Sequence, residues 1–423
     1  GELPGQADEP PMRSGHALIL MVVVLFTIGV VMVNSASVEL RDDAIAALDV
    51  SAEGTASGFS VTLDEILHGH YLTLALAAMA VLLGVSFLPV EALNSGRGVR
   101  SIPFMIFLGL LAALGLTFVP GVGQTFNGAA RWVQLGPIGF QPSELAKWGM
   151  PLVIAAYAVR HRAVMGEWVR GLVLPLGFAA IVCGLIALED LGTGVLIMLV
   201  VIGVLLAAGA KFWHMLTLLP LGLLAFAGLV LAEPYRVRRI VAFMDPYADP
   251  GDRGYHLIQS LAAIASGSPN GRGLGHSIQK FGYLPEINSD FIFAMVCEEL
   301  GIFGAAFVVV VYIAILAIGL SILTSRDTPT IEHTPAPPRV PPYSQLVGLG
   351  VLLTFGLQAA INIAVVTGLA PTKGIALPLV SHGGTGWLLT AAALGLVVSI
   401  DRSSHRSREK VHPPELCSNA LLA

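Results

Sequence analysis

The sequence predicts an all-α polytopic membrane protein with ten transmembrane helices, both termini cytoplasmic, and a large extracytoplasmic loop between the seventh and eighth helices. Three observations predict it. Of 423 residues, 55% are hydrophobic and 12% charged, with a mean hydropathy of +0.78; soluble domains carry about 25% charged residues. Ten apolar segments approach the roughly 20 residues that a helix needs to cross hydrocarbon. They fall near 16–36, 70–90, 103–120, 143–159, 171–188, 192–210, 213–232, 290–323, 343–367 and 374–399. Backbone groups in hydrocarbon must bond within their own segment, and the alternation of barrel strands is absent, so each segment is read as helical. Finally, lysine and arginine are asymmetric. With the N-terminus inside, the cytoplasmic stretches hold thirteen, and the opposite side, its long loop excluded, holds four. That bias sets both termini in the cytoplasm. The net charge of −5 says little about partners, and nothing points to nucleic acid.

Taken in order, residues 1–15 form a cytoplasmic segment in which 1–11 precede Met12, a candidate start. The first span ends in Asn34-Ser35-Ala36-Ser37, which resembles a signal-peptidase site. Its apolar core is too long for a signal peptide, so it is read as retained. Residues 38–69 make an acidic, small-residue outside loop, and 121–142 a Gly-rich one. Lys211 divides the apolar stretch 192–232 into two spans. The loop 233–289 has the polar and aromatic content of short surface helices. Residues 324–342 are Pro/Thr-rich and read as a flexible linker, and 401–423 form a basic tail. The membrane domain is thus 16–400. Cys183, Cys297 and Cys417 give neither a disulfide framework nor metal spacing.

Ionisable groups in or beside spans cost roughly 2.5–3.5 kcal/mol each on insertion scales, so they mark sites. Asp290 follows Asn288-Ser289, good capping types, and is expected in the first turn of the eighth span. There it is either a helix cap or a carboxylate that takes a proton from a hydroxyl. Glu298, about two turns further in, must be neutral, paired or in a wet cavity. Glu144 and Lys147 share a helix face at i, i+3 spacing, as a structural ion pair or a site wall. Glu189 and Asp190 occupy an outside turn, where solvation is the simpler reading. Lys373 precedes Gly374, and Pro378 and the glycines after Ser381-His382 make a continuous helix unlike this stretch. Broken backbone at membrane depth is tolerated only where protein or a cavity satisfies it. Gly271-Arg272-Gly273-Leu274-Gly275 lacks the strand–turn–helix setting of a phosphate loop. Arg236, Arg238 and Arg239 suit lipid phosphates or headgroup anchoring. On the residues alone, a transporter is favoured over an enzyme.

The ordered motifs then resemble one family. Tyr235-Arg236-Val237-Arg238-Arg239, Gly254–Ser260, Gly273–Lys280 and Leu284-Pro285-Glu286 through Phe293 are similar to the SEDS proteins, the FtsW/RodA family. So are Asn127–Trp132, Gln141–Glu144, Asp190–Thr193, Glu298–Gly301 and 371–384. The resemblance covers about 14–400, and Gln279-Lys280, the arginines at 236–239 and Thr372-Lys373-Gly374 favour the division-type FtsW branch. It implies a glycosyltransferase that polymerises lipid II on the outer face of the bacterial cytoplasmic membrane. It also implies a class B penicillin-binding protein as partner, among other divisome or elongasome membrane proteins. Asp290 matches the family's essential acid. His382 stands where the family usually has Tyr, and Glu189 where it usually has Pro.

Polyprenyl diphosphate is a good leaving group, so the chemistry needs a base for the acceptor hydroxyl and positive charge for the diphosphate. Asp290 is the expected base. Arg131, Lys147, Lys280 and Lys373 are expected on the diphosphate, with a divalent cation such as Mg2+ or Mn2+ as an option although no protein metal site is foreseen. Glu144, Glu286, Ser381 and His382 complete the expected substrate-binding set. The rivals are a lipid II flippase and a non-catalytic scaffold of the cell-wall synthesis complex.

Overall fold

The structure is a computed structural model; it describes residues 14–37, 70–126, 129–136, 138–252, 254–280, 284, 287–324 and 340–411. The readings of 38–69, of most of 324–342, of Glu286 and of the end of the tail fall outside these residues.

A helix lies in each of the ten predicted segments. In chain order these are α1 (Ser14–Ser37), α2 (His70–Val85), α3 (Ile102–Leu116), α4 (Pro142–Arg160), α5 (Leu174–Glu189), α6 (Leu191–Ala207) and α7 (Phe212–Leu231). The long loop supplies α8 (Pro234–Met244) and α9 (Tyr255–Gly267), and then come α10 (Ile292–Thr324), α11 (Tyr343–Val366) and α12 (Gly384–Val411). Among the described residues, six helical segments are long and apolar enough to cross a membrane: 14–36, 169–189, 212–231, 292–324, 343–366 and 384–404. Helices α2, α3 and α6 are apolar but shorter.

The core is built by helix pairing. α12 packs on α2, α1 on α10, and α5 on α6, while α11 touches α4, α6, α10 and α12. Small residues set the closest approaches. A Cβ on Gly29 of α1 would lie 2.4 Å from the Leu379 carbonyl oxygen, so only glycine lets α1 meet that turn. Leu379 itself has φ 65°, in a turn that meets Gly29 of α1 and whose Pro378 carbonyl accepts from the Tyr312 hydroxyl of α10.

Three expectations are corrected. The chain is not all helical: β1 (Gly123–Phe126), β2 (Ala129–Leu135) and β3 (Ile138–Phe140) form an antiparallel sheet, β1-β2-β3. Val133 pairs with Gly123 on one side and Phe140 on the other, so the short loop spends its backbone bonds on itself. The tenth segment becomes helical only at Gly384, since 371–383 run as irregular chain and turns. The eighth is interrupted: Gly301 has φ 68° inside α10. Residues 292–300 are therefore a short helix ending at a break, and Glu298 and Glu299 belong to that break rather than to the middle of a continuous span.

Candidate active site

Asp290 lies in the turn directly before α10, two residues short of the helix, and not within its first turn. Its carboxylate faces the non-helical stretch before α12: a Cβ on Gly374 would sit 2.9 Å from Asp290 Oδ2. The two stretches are stitched by Asn362 of α11, which is 1% exposed. Its Nδ2 donates to the carbonyls of Asp290 (2.8 Å) and Ile375 (2.7 Å). The His382 amide donates to the Asn288 carbonyl at 2.8 Å. Two broken backbone segments thus satisfy each other, which is what irregular chain at membrane depth requires. Asp290 is half-buried, and Gly374 beside it is exposed.

Next to Gly374, Lys373 crosses the start of α6. A Cβ on Gly192 would lie 2.6 Å from Lys373 Cδ and 2.9 Å from Nζ. Beneath it Asp190, only 9% exposed, caps α6: Oδ1 accepts from the amides of Gly192 and Thr193, and Oδ2 from the Thr193 hydroxyl at 2.7 Å. Asp190 is therefore a buried cap, not a solvated turn acid. Three arginines surround the lysine. Arg131 of β2 donates from Nε and Nη2 to the Glu189 carbonyl at 3.0 and 2.7 Å. Arg236 of α8 donates to the carbonyls of Leu229, Ala187 and Leu188, closing the ends of α5 and α7. Arg239 donates to the Thr372 carbonyl at 3.2 Å and lies 4.4 Å over the Tyr235 ring. Burial pushes the Lys373 ammonium down to about 8; Asp190 opposes this, and Arg239, Arg236 and Arg131 lower it further. Four cations around one buried carboxylate make a place of net positive charge beside Asp290, suited to a phosphate group. Arg236 and Arg239 were legible as basic residues in the loop. Their company with Arg131 and Lys373 was not, because the four come from three distant stretches.

The remaining predicted residues divide. Lys147 is 3% exposed and donates to both oxygens of Glu144 at 2.7 Å, so its charge is met within α4. Glu144 in turn lies against the start of α12, 3.7 Å from where a Gly386 Cβ would be. Ser381 is 2% exposed, its hydroxyl accepting from the Leu377 amide and its carbonyl from Trp387 Nε1, both at 2.7 Å. It shapes the turn through that buried hydroxyl oxygen. His382 is exposed and meets Tyr71 edge-on, ring centres 5.2 Å apart. Lys280 is not among the four clustered cations. It donates to the Gly275 carbonyl at 2.6 Å and feels Glu299 and Glu298; burial lowers its pKa against that pull.

Glu298 and Glu299, each 1% exposed, tie the long loop to the break in α10. Glu298 accepts from the Ser277 hydroxyl, the Ile278 amide at 3.0 Å and the Ser266 hydroxyl at 3.3 Å. Glu299 accepts from Ser35 of α1 at 2.8 and 2.9 Å and from the Ser277 amide at 3.3 Å. The glycine run lies flat on the same break, with the amides of Arg272 and Gly273 donating to the carbonyls of Glu298 and Glu299. Those amides are spent on protein, so the run is no phosphate loop. Among the described residues no three His, Cys, Asp or Glu side chains group as a metal site.

Comparison with known proteins agrees with this architecture. A peptidoglycan synthase complex described for its coordination of polymerization and crosslinking contains a chain with a TM-score of 0.62 and 27% identity, covering 92% of this chain and 97% of that one. The crystal structure of the Thermus thermophilus rod shape determining protein RodA matches with a TM-score of 0.55 at 24% identity, over 91% of this chain and 95% of that one, which concerns the fold. A protein of Idiomarina loihiensis named probable peptidoglycan glycosyltransferase FtsW is 34% identical over 397 residues, 94% of this chain and 89% of its own length. One of the same name from Nitrosococcus halophilus is 40% identical over 300 residues, 71% of this chain and 74% of its own. The family profile for FtsW, RodA and SpoVE, described as cell cycle protein, matches residues 16–406. The chain is a multi-pass helical membrane protein that belongs to the FtsW/RodA/SpoVE family.

Proposed function

We propose that the chain is a peptidoglycan glycosyltransferase that polymerises lipid II, an undecaprenyl-diphosphate-linked disaccharide, into β-1,4-linked strands at the outer face of the bacterial cytoplasmic membrane, in cell division or elongation. The relatives named peptidoglycan glycosyltransferase FtsW support the activity. One observation carries the assignment of the site: the Asp290 carboxylate lies against Gly374, beside Lys373 and its three arginines. Asp290 takes the proton of the acceptor sugar's 4-hydroxyl as that oxygen attacks the anomeric carbon in line. The bond from that carbon to the phosphate oxygen breaks, the centre inverts, and the leaving diphosphate gathers its charge against Lys373, Arg131, Arg236 and Arg239. A divalent cation such as Mg2+ would arrive on the diphosphate rather than on a protein site. Glu144, with Lys147 behind it, and His382 form the wall toward the acceptor.

In this reading ten helices span the membrane, both termini are cytoplasmic, and 233–289 lie outside with the site. The synthase complex, which couples polymerization to crosslinking, supports a class B penicillin-binding protein as partner. The test is to incubate purified lipid II with the chain and that partner, the partner's transpeptidase being blocked. Glycan polymer is expected. Movement of labelled lipid II across vesicles without polymer would replace the reading with a flippase, and neither activity from a verified complex would favour a scaffold.

A further inference from the structure

The other end of α4 borders a cavity with a basic lining. α4 runs 19 residues, about 28 Å, from Pro142 beside the candidate active site to Arg160. Around Arg160 lies a cavity of about 660 Å3, between the start of α3, the end of α4 and the start of α5. Arg160, Arg162 and Arg170 line it, with Tyr157, Phe104 and Phe178 as its apolar wall, and no carboxylate is among its lining residues. The arginines are only partly engaged: Arg160 donates to the carbonyls of Asn94 and Gly96, and Arg162 to that of Val159. Glu167 lies on the same connection but not in the lining. Three guanidiniums line one cavity whose lining offers them no carboxylate, which leaves them able to bond an anion.

The third of them, Arg170, stands in an irregular turn. Val169–Val173 form a widened turn with five-residue spacing, uncommon in helices and frequent at functional sites. Only glycine fits its middle, since a Cβ on Gly171 would fall 2.1 Å from the Met165 carbonyl oxygen. The apolar wall opens outward: Leu174 and Phe178 are 47% and 37% exposed.

We propose that this cavity binds an acidic glycerophospholipid of the cytoplasmic leaflet, its phosphate among Arg160, Arg162 and Arg170 and its acyl chains along Phe104, Phe178 and Leu174. A free phosphate would use the arginines but leave the apolar wall without a partner. A basic opening between helices at the membrane edge suits both halves of a lipid. The proposal rests on the membrane orientation given above but not on the polymerase activity, so lipid binding and polymerisation fail independently.

The experiment is native mass spectrometry of the full chain from detergent, titrated with phosphatidylglycerol or cardiolipin and, in parallel, with phosphatidylcholine. Retention of the acidic lipids over phosphatidylcholine is expected. The double variant R162Q/R170Q should bind them about thirty-fold more weakly, at the affinity loss typical of two basic groups near a lipid surface. Ala163→Trp, which fills the cavity mouth and keeps every charge, should weaken binding at least about ten-fold by the same scale. The control R97Q/R100Q removes equal charge from exposed positions outside the cavity and should stay within about three-fold. Wild-type affinity in either cavity variant, an equal loss in the control, or displacement of the lipid by millimolar inorganic phosphate would overturn the proposal.

Discussion

Gly374→Ala tests the site without touching a charge. The new methyl carbon would stand 2.9 Å from Asp290 Oδ2, 3.6 Å from Cγ and 3.8 Å from Oδ1. Ordinary carbon–oxygen contact begins near ~3.4 Å, so the carboxylate must retreat by about 0.5 Å. The atom in the way is the end of a short rotatable side chain, and Gly374 does not need a left-handed backbone, so the fold should survive with a change below about 1 kcal/mol. A base displaced by half an ångström is another matter. Misplacement of about 1 Å can cost a hundred-fold, so a ten-fold loss of kcat, about 1.4 kcal/mol, is expected. The assay is lipid II polymerisation with the partner present and its transpeptidase blocked, following kcat and KM separately. Loss should appear in kcat with KM little changed. A variant with wild-type kcat would refute the placement of the reacting hydroxyl at the Asp290–Gly374 edge.

Three more outcomes follow from named contacts. Lys373 has a folded-state pKa lowered to about 8 from 10.5, so the folded protein releases this proton first. Stability from this group rises with pH between about 8 and 10.5, while kcat/KM should fall above about 8 as the charge opposite the diphosphate is lost; in Lys373→Arg the pH profile should lose that limb. Gly301→Ala meets φ 68° and a Gly271 nitrogen 2.3 Å from the new Cβ, so thermal melting should show a loss above about 3 kcal/mol. Ser35→Ala strips Glu299 of the hydroxyl that bonds both its oxygens and should cost about 1–3 kcal/mol, read by the same melting curve.

Hydropathy located the helices because hydrocarbon forces each spanning segment to satisfy its own backbone, which makes the apolar run and the helix nearly the same object. It failed where backbone bonds are met otherwise. The sheet 123–140 has strands of four, seven and three residues, too short for a clear two-residue alternation. The signal available was Gly136, φ 62°, between Trp132-Val133-Gln134-Leu135 and Ile138-Gly139-Phe140. Gly301 was visible too, but apolar residues continue on both sides, and an average over a window cannot see one residue of positive φ. Asp290 stood out as a charge at the edge of an apolar run. The neighbours that give it meaning, Gly374 and Asn362, are 84 and 72 positions away along the chain and carry no charge to announce them. Ser381 shows the converse: its motif position marked it, yet its hydroxyl is buried and accepts from the turn it closes.

The most direct test of the central claim separates binding from chemistry at Asp290. Asp290→Asn keeps the shape and the backbone bond from Asn362 but cannot accept a proton as a carboxylate does. With the partner bound, lipid II affinity should stay within about three-fold while polymerisation falls by at least about a hundred-fold, the usual reach of a general base. Polymer formed at the wild-type rate by a variant that still binds lipid II would contradict the assignment and move the base elsewhere in the site.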